Sequence, residues 1–211
     1  MSLLTPPLVT DPLDPRVAVQ PARERLFTTA TVITFVRTLA SAVLSSVAAS
    51  QHSRGLLIVG LVVYWVGDTL DGQVARRTGC ETRIGALVDI FSDRLCAAAF
   101  YVGLAWLSPH LGPAVFVYLF EFMTIDCFLS TSFVYWPIRS TNYFYVIDEK
   151  LWRWNWSHPG KAANSGLFAI LLLLTGSVWL GLAIAVALLA LKCLSLARLI
   201  RIGLPVPGIA V

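Results

Sequence analysis

At 211 residues, with 57% of them hydrophobic, 13% charged and a mean hydropathy of +0.74, the chain falls well short of the roughly 25% charged content of a soluble domain. That balance excludes a soluble enzyme carrying a single anchor and implies an integral membrane protein built as one compact domain. The formal net charge is +4, and in such a chain the placement of the positive residues says more than their sum.

Residues 1–15 are rich in Pro and Asp and read as a loosely attached segment. From Pro15 to Phe27, Arg16, Arg23 and Arg25 are interspersed with Val17, Val19 and Leu26. Two readings stand here: a short interfacial helix against anionic lipid, or a basic juxtamembrane linker. Residues 1–25 contain no apolar core of the roughly 7–15 residues a signal peptide needs, so none is expected.

Six apolar segments follow, at about 28–50, 55–76, 84–107, 111–137, 162–177 and 178–201, each near the ~20 residues that cross a hydrocarbon core. Only Gly176 separates the last two. The predicted class is an all-α integral membrane protein of six transmembrane helices. Its expected parts are an N-terminal segment 1–27, a six-helix membrane domain 28–201 and a tail 202–211. The turns Gln51–Arg54, Ser108–Gly112 and Thr175–Ser177 share a single Arg. Arg16, Arg23, Arg25, Arg76, Arg77, Arg83, Arg139, Lys150, Arg153, Lys161, Arg198 and Arg201 crowd the opposite side, which puts both termini in the cytoplasm. The loop of about 138–161 carries Trp152, Trp154 and Trp156 after Trp136 and reads as an interfacial anchor. Cys80, Cys96, Cys127 and Cys193 are scattered and form neither a metal knuckle nor a disulfide framework.

Four aspartates lie where a membrane protein tolerates them least. Asp68, Asp71, Gly72 and Ala75 share one helical face, and Gly85, Asp89 and Asp93 share another. The second segment runs toward the basic side and the third returns, so both pairs reach one depth, roughly 12–14 Å below that surface at 1.5 Å per residue. Four carboxylates there persist only with positive charge between them. Hard oxygen donors suit Mg²⁺ or Mn²⁺, and two such ions would clamp a phosphoryl group. Gly72, Ala75 and Gly85 clear bulk from the carboxylate face, and Arg76 is placed to meet phosphate oxygens. A cation transporter or channel is the alternative use of such a cluster, but the outer halves of these segments are almost wholly apolar, which favours a site open to one side.

From Asp68 to Asp93 the chain reads D-x-x-D-G-x-x-A-R-x(8)-G-x-x-x-D-x-x-x-D. This resembles the signature of the CDP-alcohol phosphotransferase (CDP-alcohol phosphatidyltransferase) family. Thr31, Thr34 and Arg37 are similar to the family's first-helix pattern, with Thr31 where Asn is commoner. The resemblance implies phosphatidyl transfer from CDP-diacylglycerol to an alcohol, with release of CMP and with two Mg²⁺ or Mn²⁺ ions on Asp68, Asp71, Asp89 and Asp93. It implies Asp93 as the base, and Thr34, Gly72, Ala75, Arg76 and Gly85 as donor-binding residues. It also implies a homodimer as an assembly open to the chain. Partners expected are the lipid donor, a small alcohol and the bilayer, not nucleic acid, and the expected location is a bacterial plasma membrane with the site facing the cytoplasm.

Arg139, Lys161, Arg198 and Arg201 are candidate contacts for a phosphorylated acceptor such as inositol phosphate or glycerol 3-phosphate, with Arg198 and Lys161 foremost. Asp126 and Lys192 sit at equal depth and are expected to form a buried ion pair, so reversing both charges together should partly rescue what reversing Lys192 alone destroys. Arg94 points away from Asp93 and is expected to snorkel or to meet Glu121. His52, His110 and His158 fall in predicted loops, and no zinc site is expected from them.

Overall fold

Each long helix starts on a hydroxyl residue. Thr28, Ser53, Thr82 and Ser177 accept from the backbone N–H groups of Thr31, Leu56, Gly85 and Leu180, which satisfies donors that a helix start leaves without partners. From these caps run α1 (Thr29–Ser50), α2 (Arg54–Thr78), α3 (Arg83–Leu107) and, last in the chain, α9 (Val178–Ile202). Between α3 and α9 lie α4 (Gly112–Met123), α5 (Ile125–Thr131), α6 (Glu149–Asn155), α7 (His158–Lys161) and α8 (Leu167–Thr175). The structure is a computed structural model that describes residues 13–205. Expectations for residues 1–12 and 206–211 lie outside the described residues. The architecture is all-α. Among the described residues the only β pairing is an isolated antiparallel bridge between Ala18 and Ile138.

Five stretches are long and apolar enough to cross a membrane: Thr29–Ser50, Arg54–Thr78, Arg83–Leu107, Pro109–Tyr135 and Val178–Ile202. The expected fifth segment, 162–177, takes a different form. It opens with a π turn at Ala162–Gly166, and its α-helical part is the nine residues of α8. With α7 in front it makes one helical rod from His158 to Thr175. Gly176 ends the rod at φ +59°, a left-handed conformation that a residue with a side chain adopts at a cost. The expected unbroken segment 111–137 is bent as well. Thr124 interrupts it (φ −107°, ψ −78°), its hydroxyl bonding back to the Phe120 carbonyl, and a 3₁₀ turn at Ser132–Tyr135 replaces the last helical turn.

The interfacial helix considered for 15–27 does not form. Pro21–Arg23 makes one 3₁₀ turn, and residues 17–19 instead run beside 137–139. Val19 N–H donates to the Pro137 carbonyl at 3.0 Å and Arg139 N–H to the Val17 carbonyl at 3.1 Å. Pro15 and Pro21 break the run of backbone donors that a helix here would need.

The turns sort to two ends. At one end Arg54 donates to Ser108 Oγ (2.9 Å), and the His110 ring meets the Gly176 carbonyl at 3.1 Å. At the other end Glu24 accepts from the Arg83 and Ile84 N–H groups at the start of α3, and Arg198 of α9 pairs with Asp148 before α6. Packing between α1 and α2 is close because small residues face each other. Ser41 Oγ donates to the Gly60 carbonyl at 2.9 Å, and a Cβ on Gly60 would sit 3.0 Å from Ser45 Oγ. Large apolar side chains such as Leu39, Val43, Val62 and Val66 point outward, as a lipid-facing surface requires.

Two cores follow. One joins Tyr64, Phe100, Tyr101, Tyr118 and Phe168 in the middle of the bundle, and the other joins Phe133, Trp136, Ile138, Phe144, Leu151, Trp156 and Leu199 beneath the long loop. Trp136 and Trp156 are therefore core residues and not headgroup anchors. They pack on Phe144 with ring centroids 5.2 and 4.7 Å away, burying about as much apolar surface as a side chain can.

Candidate active site

The loop core roofs a cavity of about 670 Å³ at the basic end of the bundle. One wall comes from α1–α3 and carries Thr31, Thr34, Asp68, Asp71, Gly72, Ala75, Arg76, Gly85, Asp89 and Asp93. The facing wall carries Phe122, Asp126, Ser130, Asn155, Trp156, Lys161, Asn164 and Lys192, and Ser140–Tyr143 form the rim. All four aspartates that the helical spacing singled out reach this one space.

The positive charge between them is Arg37. Its Nε donates to Asp71 Oδ2 at 2.7 Å, and its Nη2 donates to Asp89 Oδ1 at 2.6 Å, Asp93 Oδ1 at 3.0 Å and Asp68 Oδ1 at 3.3 Å. Thr34 Oγ1 adds a bond to Asp71 Oδ2 at 2.7 Å. Asp71 is consequently the anchor, with a side chain only 4% exposed, while those of Asp68, Asp89 and Asp93 are 43%, 40% and 25% exposed and face the cavity. Arg37 had matched a first-helix pattern in the sequence but had no role there. An Arg one helical turn past Thr34, inside an apolar helix, was the signal. Thr34, expected on the donor, spends its hydroxyl on Asp71 and the Ala30 carbonyl.

One carboxylate oxygen each from Asp68, Asp71 and Asp89 lies within 4.8 Å of the others. That spacing and an all-oxygen donor set fit a hard divalent cation. The small residues leave open the space beside it. A Cβ on Gly85 would stand 2.8 Å from Thr82 Oγ1, and one on Gly72 would stand 3.2 Å from the Arg76 guanidinium.

The chain matches the CDP-alcohol phosphatidyltransferase family over residues 27–197. It belongs to that family. The match covers both walls of the cavity and every aspartate of the cluster. Over 85 residues the chain is 36% identical to the phosphatidylinositol phosphate synthases of Mycobacterium bovis and Mycobacterium tuberculosis, a stretch covering 39% of this chain and 38% of the relative. It is 42% identical over 52 residues to that of Mycolicibacterium smegmatis, covering 25% of this chain and 22% of the relative. The aligned stretches thus span well under half of these relatives. No solved structure matches.

Of the four cations expected to greet an acceptor in this family member, Lys161 alone lines the cavity, its Nζ donating to Asn142 Oδ1 at 2.8 Å. Arg139 is turned to the N-terminal arm and donates to the Ala18 and Pro15 carbonyls at 2.8 and 2.5 Å. Arg198 is held on Asp148 (2.7 and 2.9 Å), and Arg201 sits exposed in the last turn of α9. Burial opposes ionisation of Asp148, but its bonds from Arg198 and the Leu151 N–H outweigh it and hold the carboxyl below the usual range.

The pairing of Asp126 with Lys192 is present, at 2.6 Å. It has a third member that the sequence reading placed elsewhere: Arg94 bonds Asp126 and, at 3.1 Å, Ser130. Arg94 therefore neither snorkels nor meets Glu121, whose two buried oxygens have no hydrogen-bond partner. The bend at Thr124 carries Asp126 round to α3, which a straight helix register does not foresee.

Proposed function

We propose that this family member transfers a phosphatidyl group from CDP-diacylglycerol to a hydroxyl of a small phosphorylated alcohol and releases CMP. Inositol phosphate is the first candidate, in line with the names of the relatives, and glycerol 3-phosphate the second. The observation that carries this reading is the gathering of Asp68, Asp71, Asp89 and Asp93 on one cavity wall beside Gly72, Ala75 and Gly85.

Asp68, Asp71, Asp89 and Asp93 would hold two Mg²⁺ or Mn²⁺ ions, which would neutralise the donor diphosphate and activate its phosphorus toward attack. The protein's own share is positioning. Gly72, Ala75 and Gly85 let the diphosphate approach the backbone of α2 and α3, and Arg76 faces it from the end of α2. Asp93 Oδ1 accepts from Arg37, so its Oδ2 is the oxygen that takes the proton of the acceptor hydroxyl. Lys161, on the facing wall, meets the acceptor phosphate.

A cavity at the arginine-rich end supports a site on the cytoplasmic face of a bacterial plasma membrane, where a lipid-borne donor and a soluble acceptor can meet. The catalytic unit is then 28–201. The test is CMP release by the purified protein from CDP-diacylglycerol across a panel of alcohols, with and without Mg²⁺ or Mn²⁺. Metal-dependent CMP with inositol phosphate is expected. A folded, CDP-binding protein that releases no CMP with any acceptor would sink the reading.

A further inference from the structure

We propose that Arg37 is a resident counter-cation of the four-aspartate cluster, and that it competes with divalent cations for those carboxylates. The proposal rests on the metal reading above only for the identity of the competing ion.

Four carboxylates converging in a membrane helix bundle repel one another strongly. Arg37 is 4% exposed and meets all four, with a single nitrogen, Nη2, serving Asp68, Asp89 and Asp93. Its remaining terminal nitrogen, Nη1, is buried without a partner. The guanidinium thus directs its bonded edge wholly at the cluster and leaves another donor unsatisfied, an arrangement that costs free energy unless the carboxylates return more.

Neighbouring residues are shaped around this placement. A Cβ on Gly67 would come within 2.5 Å of Arg37 Cβ and 2.6 Å of its Cδ. The arginine stem therefore lies across Gly67, the α2 position immediately before Asp68, where no side chain stands in its way. Tyr64, one turn earlier, brings its ring within 5.6 Å of the guanidinium. Thr34, one turn before Arg37 on α1, holds Asp71 from the same side.

Asp68, Asp71 and Asp89, the three whose oxygens lie within 4.8 Å of one another, are all held by this guanidinium. A cation taking those oxygens meets a fixed positive charge already bonded to them. Arg37 is therefore a positioning residue with two consequences. It keeps the cluster assembled when no divalent ion is bound, and it weakens the affinity of any ion that enters.

The test is Mn²⁺ binding to the full-length protein without donor or acceptor, read from the spectrum of free Mn²⁺, together with melting after EDTA treatment. For Arg37→Met we expect Mn²⁺ to bind roughly tenfold tighter, a typical coupling between two sites. The EDTA-treated variant should melt lower than wild type, and saturating Mn²⁺ should close that gap. Arg37→Lys, which cannot span four carboxylates, should fall between. Tighter binding supports the proposal, whereas unchanged or weaker binding overturns it by making Arg37 an ally of the ion. Should both variants fail to fold, the wild-type protein answers alone: the guanidinium ¹⁵N signal of Arg37 should shift on Mg²⁺ titration, and a signal that stays put overturns competition. Because neither readout uses turnover, failure of the CMP assay leaves this result standing.

Discussion

Asp126 sits between two cations, and that arrangement predicts an asymmetry. Lys192 Nζ lies 2.6 Å from Asp126 Oδ1, and Arg94 bonds Oδ2 from the other side. All three residues are buried. Replacing Asp126 by Asn removes the carboxylate that both cations share and leaves Arg94 and Lys192 facing each other. Breaking a buried ion pair on one side costs about 3–5 kcal/mol. Replacing Lys192 by Met is gentler, because Arg94 still neutralises Asp126. What is lost is one charged contact and the bond from Lys192 to Asn155 Oδ1 at 2.9 Å, together about 1–3 kcal/mol. The same geometry alters the expectation for the double reversal. Lys at 126 with Asp at 192 restores one pair but places a cation against Arg94, so it should not rescue. Melting followed by intrinsic fluorescence in one detergent ranks the variants, and Asp126→Asn should melt well below Lys192→Met. Equal melting, or rescue by the double reversal, would refute the three-body description.

Other outcomes follow from the site and its supports. Asp93→Asn should lower CMP formation by roughly 10²–10⁴-fold, the usual worth of a general base, while CDP binding measured by calorimetry is largely kept. Lys161→Met should raise KM for the phosphorylated acceptor and leave KM for CDP-diacylglycerol near wild type. Gly85→Ala should weaken CDP binding, since the new Cβ meets Thr82 Oγ1 at 2.8 Å and disturbs the cap on the Gly85 N–H; loss of an N-cap alone costs about 1 kcal/mol. The Asp148 carboxyl has a lowered pKa, so its stabilising bonds to Arg198 and Leu151 are fully present above the ordinary carboxylate pKa of about 4 and fade as pH falls through the lower folded value. Asp148→Asn should flatten the acid limb of a melting-against-pH profile, and an unchanged limb would assign acid sensitivity elsewhere.

Much of the cluster is legible in the sequence. Asp68 and Asp71 one turn apart, and Asp89 and Asp93 one turn apart, define two stripes because helical period is a local property. Gly72, Ala75 and Gly85 fall on those stripes for the same reason. The acceptor side was read less well. Arg139, Arg198 and Arg201 look alike in sequence, since the positive-inside bias fills that face whatever the ligand. Which of them is free depends on distant partners: Asp148 for Arg198, and the carbonyls of Ala18 and Pro15 for Arg139.

Composition and periodicity by themselves determined an all-α membrane protein, its long helices and a carboxylate site at a single depth, because hydrophobic length and helical pitch act over neighbouring residues. Tertiary structure alone decided which cation occupies the centre of that site. Arg37 reaches Asp71 and Asp93 across separations of 34 and 56 residues, over the gap that Gly67 leaves open. The burial of Trp136 and Trp156 was also decided by packing, through the Phe144 ring that the loop folds between them. Both depend on how the chain returns on itself, and no local pattern carries that information.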